Sequence, residues 1–429
     1  MDHRQPQILY SSKEPTMSDT PLHTRFAPIF QRIAQGAVQR EQERTLAFDA
    51  VDWLKTAGFG ALRVPRSQGG LGASLPELFA LLIELGSADS NLPQIVRAHF
   101  GFVEGRLVSL DRDSQAYWLP KVVAGQLWGA AMAERSDTTS NSVTLKPTAE
   151  GWQLDGQKYY CTGTLYADWI AVAAADGADF ISVVVPTDAP GVTRVDDWDG
   201  FGQRLSGSGT TRFDQVTVLE HQLLRRFKPD ELRAESYISA FYQLFHLATL
   251  AGIARAALRD AVEFVQGRTR AFGIPGQSSP RLDPLVQRVI GKLSSLSYAA
   301  DSLVQSTAQV LQTTHEAVLD GSISEAHYVN ADVRTYQAQQ VILPLVLEAT
   351  SLLFEVGGAS ATSQVRRLDR HWRNARTLAS HNPAIYRERA LGDFYLNDVS
   401  PAAAWRAAQA QAVADHPEQA SARDEASAV

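Results

Sequence analysis

Apolar positions between residues 26 and 125 recur every three or four residues. Phe30, Ile33, Ala34 and Val38 fall on one helical face, and Phe48, Val51 and Leu54 start a second run. The spacing predicts a helical domain over 26–125. Ser74, after a Gly-rich loop and ahead of Pro76 and Glu77, reads as a helix cap. Asn91-Leu92-Pro93 breaks the pattern. From 126 to 228 the period shortens. GWQLDGQKYYCTG alternates around an Asp-Gly turn, and short runs rich in Val, Ile, Thr and Phe each close on Gly, Pro or Asp. These predict a small antiparallel β-barrel domain. From 229 to 400 the helical period returns. Phe241, Leu244, Phe245, Ala248, Ala251, Leu258 and Val265 form one broad stripe, and two further apolar runs follow, as in a four-helix bundle. Residues 1–25 read as a disordered extension, with Met17 a candidate start, and 401–429 as a polar tail.

Composition narrows the function. A chain of 429 residues with 45% hydrophobic content holds a large core, and a net charge of −7 argues against nucleic acid as a partner. The single cysteine, Cys161, excludes an internal disulfide and a Cys₄ or Cys₂His₂ zinc site; no metal is expected. No unbroken run of 18 apolar residues suggests a membrane span, so a cytoplasmic location is expected. G-x-G-x-x-G between strand and helix, G-x-x-x-x-G-K-[ST], H-E-x-x-H and G-x-S-x-G are all absent. Gly207-Ser208-Gly209 and Gly357-Gly358 alone read as turns.

The three-part order carries further motifs. They are Gly129 to Arg135, Gly156 to Gly163, Phe201-Gly202-Gln203-Arg204 with Ser208-Gly209-Thr210, Arg268 to Gly273, and Phe354 to Ser360. From about residue 28 to 400 the chain resembles the acyl-CoA dehydrogenase superfamily. The resemblance implies an N-terminal α-helical domain, a central antiparallel β domain and a C-terminal four-helix bundle around a flavin, usually in a homotetramer.

Residues 370–383, RHWRNARTLASHNP, refine this resemblance. Where many such dehydrogenases keep a glutamate base, this chain has Ser380-His381-Asn382-Pro383. Together with Asp196-Asp197-Trp198, Lys158 to Gly163 and His371 to Arg376, the segment is similar to the flavin-dependent monooxygenase branch of dibenzothiophene monooxygenase. That branch takes reduced FMN from a separate NAD(P)H:flavin reductase, forms a C4a-hydroperoxyflavin with O₂, and oxygenates a small organosulfur or aromatic compound. The resemblance implies catalytic roles for His99, Thr162 and His381, with the Thr162 hydroxyl donating at the flavin edge. It implies flavin contacts from Thr139, Ser140, Tyr160, Trp198, Gly357 and Gly358, and from Arg268 or Arg270 of a neighbouring subunit. A lone histidine or an aromatic strand residue is otherwise a core residue, and His371 reads as structural. Leu378 departs from the relatives, which carry a further histidine there. Two alternatives remain: an FAD-dependent acyl-CoA dehydrogenase using Glu355 or Glu348, and a non-catalytic flavoprotein.

Overall fold

The computed structural model describes residues 20–135, 142–149, 151–177, 179–228, 236–268 and 279–403. Helices α1 (Leu22–Glu43), α2 (Phe48–Thr56), α3 (Leu75–Ala88), α4 (Asn91–Leu107) and α5 (Arg112–Val123) come first. Helix α1 begins inside the segment expected to be an extension, because Phe26 is fully buried and Leu22 packs on the same core. At α3 the Ser74 hydroxyl accepts the Glu77 N–H, and the Glu77 carboxylate accepts the Ser74 N–H at 2.8 Å. Asn91-Leu92-Pro93 is the first turn of α4 rather than a break, since a proline there removes no needed donor. The break is Asp89, which is extended and whose Oδ1 accepts the Asn91 N–H at 3.1 Å.

The sheet follows: β1 (Trp128–Ala131), β2 (Thr144–Thr148), β3 (Gly151–Lys158), β4 (Trp169–Asp176), β5 (Asp179–Pro186), β6 (Val192–Arg194), β7 (Thr211–Val218) and β8 (Leu223–Phe227). The order is β6-β7-β3-β2-β4-β5-β8, with β1 beside β4. The expected antiparallel barrel is instead a mixed sheet among the described residues. Strands β1 and β2 both run parallel to β4. Strand β1 enters straight from α5, and its Trp128 joins Phe102, Trp118 and Trp169 in an aromatic wall that fixes its direction. Nor is Asp155-Gly156 a turn. Strand β3 runs through it, and the register with β7 shifts between Leu154 and Gly156. Gly156 has φ +127°, and a Cβ there would lie 2.4 Å from the Ser142 carbonyl oxygen.

The C-terminal half is helical: α6 (Ile238–Gln266), α7 (Pro284–Asp320), α8 (Glu325–Leu352), α9 (Asp369–Ala379) and α10 (Ala384–Asn397). Helices α6, α7 and α8 pack on one another, and the shorter α9 and α10 close over α8. Among the described residues one segment, Glu325–Val356, is by length and composition apolar enough to cross a membrane; here it packs within the bundle. One hydrophobic core runs from α1–α4 into α6–α8, joined where Phe79 meets Phe241 and Phe245 at 5.5 and 6.3 Å. The sheet keeps its own core. A buried polar knot locks the halves. Arg63 Nε donates to Glu104 at 2.9 Å, and the Tyr237 hydroxyl donates to the same carboxylate at 2.6 Å. Burial alone would raise the Glu104 carboxyl, but Arg63 and His315 hold it well below the carboxylate range.

Candidate active site

Helix α9 stops at Ala379 because Pro383 cannot continue it. The last turn closes through the His381 N–H on the Leu378 carbonyl at 3.2 Å, and α10 starts at Ala384. The intervening Ser380-His381-Asn382 is clamped. Asn382 Nδ2 donates to Gln243 Oε1 at 2.8 Å, and Gln339 Nε2 donates to the Asn382 carbonyl at 3.0 Å. Arg387 Nη1 donates to both Gln243 and Gln339. The result fixes His381 against His246 of α6, ring centroids 4.2 Å apart. His246 is 1% exposed, and neither of its ring nitrogens has a hydrogen-bond partner.

Helix α4 supplies the facing wall. Gln94 and Arg97 share one face, three residues apart. The Arg97 guanidinium lies over the Tyr242 ring at 5.1 Å. Gln94 Oε1 and Arg97 Nε are buried without partners. Arg97 and Tyr242 are half-buried and His381 is exposed, so the three border a hollow that solvent reaches. Desolvation, then the positive charge of Arg97, pulls the His381 imidazole down to about 4. His246 falls well below 6.5 through burial and through His381, Arg97 and Arg387. Both are neutral imidazoles at neutral pH. Among the described residues every ionic influence on the pair is cationic.

The β domain presents the other side. Tyr160 is left-handed at φ +61°, 46% exposed, and edge-on to Trp198 at 6.1 Å. Thr162 Oγ1 lies 2.9 Å from Ser208 Oγ, which lies 2.7 Å from Ser206 Oγ; Ser206 donates to the Gln203 carbonyl at 2.8 Å. That carbonyl can only accept, so the protons of the chain point inward. Thr162 can therefore give its proton to Ser208 or to the Tyr160 carbonyl while its lone pairs stay open. Two close approaches join the walls. A Cβ on Gly163 would lie 2.4 Å from the Ile95 carbonyl oxygen of α4, and one on Gly202 would lie 2.2 Å from the Arg373 carbonyl oxygen of α9. Asn374 Oδ1 accepts the Gln203 N–H at 2.6 Å, and Arg373 donates to the Phe201 carbonyl at 2.8 Å. The Trp198–Gln203 loop is thus tied to the helix that ends at His381.

Not every expected residue joins this hollow. His99 follows Arg97 by two positions, which turns it to another face of α4. It is fully buried, with Nε2 at 2.8 Å from the Gly60 carbonyl oxygen and its ring near Trp128. Burial lowers its imidazole to about 4. Arg97, not His99, is the α4 residue beside His381. Arg268, two residues past the end of α6, has Nη1 at 3.4 Å from the Gly357 carbonyl, which brings it to the expected Gly357-Gly358 turn. Thr139, Ser140 and Arg270 lie outside the described residues. His371 Nε2 is bound to Asp260 at 2.8 Å, and Leu378 is a core residue. Glu348 is exposed and paired with Lys292 at 3.3 Å, and Glu355 is exposed. Sequence reasoning missed Tyr242, His246 and Arg97. The first two stand four apart on α6, a spacing that the apolar stripe around them hid.

The donor set suits a planar polar cofactor: lone pairs at Thr162, aromatic plates at Tyr160 and Trp198, buried unpartnered polar atoms at Gln94 and His246, and a cation at Arg268. Comparison with known proteins points the same way. A family model described as the acyl-CoA dehydrogenase middle domain matches residues 130–216, and one described as the C-terminal domain of that enzyme matches 244–384. Together they span more than half of the chain. The chain belongs to the acyl-CoA dehydrogenase family. Among family members, a probable FMNH₂-dependent monooxygenase, SfnC of Pseudomonas putida, is 27% identical over 382 residues, 86% of this chain and 93% of that protein. The FMN-bound structure of TdsC, a dibenzothiophene monooxygenase from Paenibacillus sp. A11-2, superimposes with a TM-score of 0.81 at 27% identity, covering 88% and 98% of the two chains. Methanesulfinate monooxygenase MsuC from Pseudomonas fluorescens gives 0.80 at 27% identity, covering 89% and 98%.

Proposed function

We propose that the protein is a two-component monooxygenase that accepts reduced FMN from a separate NAD(P)H:flavin reductase and oxygenates a small organosulfur or aromatic compound, working in the cytoplasm as a homotetramer. The observation that carries this reading is the His381–His246 pair, His381 lying in the segment where, by the resemblance, many dehydrogenases keep a glutamate. Among the described residues the charges that act on this pair are cationic, and the two alternative glutamates face outward. Removal of a proton α to a thioester needs a poised base. An imidazole held near 4 and flanked by cations is a poor one. The similarity to SfnC, TdsC and MsuC supports the same choice.

When bound, reduced FMN supplies the two electrons that, with O₂, leave one oxygen atom on the substrate and the other in water. Thr162, Tyr160, Trp198 and Gln94 would hold its ring system. Arg268, the Gly357-Gly358 turn and, outside the described residues, Thr139, Ser140 or Arg270 would hold its phosphate end. The lone pairs of Thr162 suit an N–H donor, which favours the reduced ring over the oxidised one. A neutral His381 keeps one N–H to donate and one ring nitrogen to accept, and so can hold a proton at an oxygen atom without adding charge. The roles of Thr162 and His381 are thus in the chemistry. His99 supports the wall through Gly60. Tyr242, His246 and Trp198 narrow access, which keeps water from the reacting atoms.

The test compares two anaerobic mixtures of the full chain. Addition of photoreduced FMN should give a tight complex whose flavin reoxidises slowly when O₂ is admitted. Addition of butyryl-CoA to protein loaded with FAD should leave the flavin yellow. Bleaching of FAD by the acyl-CoA would overturn the monooxygenase reading in favour of a dehydrogenase.

A further inference from the structure

Arg97 is anomalous within the hollow. It sits on α4 with its guanidinium over the Tyr242 ring; among the described residues it has no carboxylate partner, and its buried Nε has no hydrogen bond. Three other interior arginines are answered by a carboxylate, Arg40 by Asp89 at 3.1 Å, Arg63 by Glu104 at 2.9 Å and Arg370 by Asp260 at 2.5 Å, and Arg106 by the Ser114 hydroxyl at 2.7 Å. Arg387, across the hollow, meets the neutral amides of Gln243 and Gln339 and lies over the Tyr336 ring at 5.0 Å. His246, beside them, holds two unpartnered ring nitrogens while nearly fully buried. The hollow thus gathers two guanidiniums and two imidazoles and no carboxylate among the described residues. Leaving a buried cation unpaired costs several kcal/mol unless an anion meets it. Nothing in the packing requires a charge at residue 97, because its face of α4 meets the aromatic ring of Tyr242.

We propose that Arg97 is the anchor for a small oxyanion, a sulfinate, sulfonate or carboxylate head group, on the substrate that is oxygenated beside His381. This rests on the monooxygenase reading and names the substrate class of that same site. The guanidinium is a planar fork whose unmade bonds match two oxygens of such a group. The aromatic face of Tyr242 holds it in place without competing as an acceptor. His246 lies within reach of the same space and offers one further N–H. Gln243 and Gln339 keep Arg387 directed at the Asn382 clamp, so Arg97 alone is left to the ligand. A fully apolar substrate would leave this cation buried and unmet, which selects against it.

The test titrates the full chain by calorimetry, with and without saturating oxidised FMN, using sodium methanesulfinate, sodium acetate and the neutral dimethyl sulfone. At least one oxyanion should bind tenfold or more tightly than the sulfone. In Arg97→Met that oxyanion should lose about tenfold to a hundredfold in affinity, while affinities for dimethyl sulfone and FMN stay within twofold. Arg97→Lys, which keeps the charge without the fork, should fall between them. Without ligand, Arg97→Met should melt no lower than the wild type, since it removes an unanswered cation. Equal affinity for charged and neutral probes would overturn the proposal, as would an unchanged titration in Arg97→Met. Loss of FMN binding in that variant would assign the cation to the flavin, and a markedly lower melting temperature would assign it a structural role. Failure of the wild type to bind FMN at all would instead fall on the monooxygenase reading, because the anion preference is read separately.

Discussion

His99 gives a quantitative test of the placement of α4. Its imidazole is fully buried with Nε2 on the Gly60 carbonyl, and burial lowers it to about 4 from an ordinary value of 6.5. The unfolded chain therefore binds a proton at this site between pH 6.5 and 4 while the native chain does not. The sign follows: stability is full above pH 6.5 and falls as pH drops through that window. From pH 7 to pH 5 the loss from this site alone is about 2 kcal/mol. His99→Gln keeps an amide N–H for Gly60 and cannot titrate. Denaturant unfolding at the two pH values should show the wild type losing about 2 kcal/mol more than His99→Gln. Equal losses would refute the burial of a neutral imidazole here. The same variant should keep oxygen transfer within a fewfold, since His99 does not reach the His381 hollow.

Three other outcomes follow from the geometry. Gly202→Ala puts a carbon 2.2 Å from the Arg373 carbonyl oxygen; it should separate the Trp198–Gln203 loop from α9 and weaken FMN binding, read by quenching of flavin fluorescence. Trp198→Ala should weaken oxidised FMN binding by roughly threefold to tenfold, the worth of one aromatic contact; no change would remove Trp198 from the flavin site. Ser74→Ala breaks the α3 capping box and should cost about 1 kcal/mol in thermal or denaturant unfolding, with FMN affinity unchanged.

The helical stripes read well from sequence because burial follows the period of the helix: Phe30 and Ile33 in α1 and Phe241 to Val265 in α6 are core positions. Local chemistry read less well where tertiary contact decided it. Asp155-Gly156 has the composition of a turn, yet pairing with β7 on one side and Ser142 on the other makes it a bulge. The parallel placing of β1 and β2 depends on the aromatic wall and on connections that no local pattern encodes. At the site, His381 was legible because Pro383 and a motif mark it. Arg97 and His99 stand two apart on one helix, and only the packing of α4 on α6 decides which of them faces the hollow. His246 could not be told from a core residue, because it lies inside an apolar stripe and only its unpartnered nitrogens distinguish it.

The central claim is that the hollow around His381 governs the reaction of bound reduced FMN with oxygen. Its most direct measurement is stopped-flow mixing of the anaerobic protein–reduced FMN complex with oxygenated buffer, following the return of oxidised-flavin absorbance and the release of hydrogen peroxide. In the wild type both should appear together and much more slowly than with free reduced FMN. His381→Ala should speed both at least tenfold. Reoxidation at the rate of free flavin in the wild type, or the same slow rate in wild type and His381→Ala, would contradict the account.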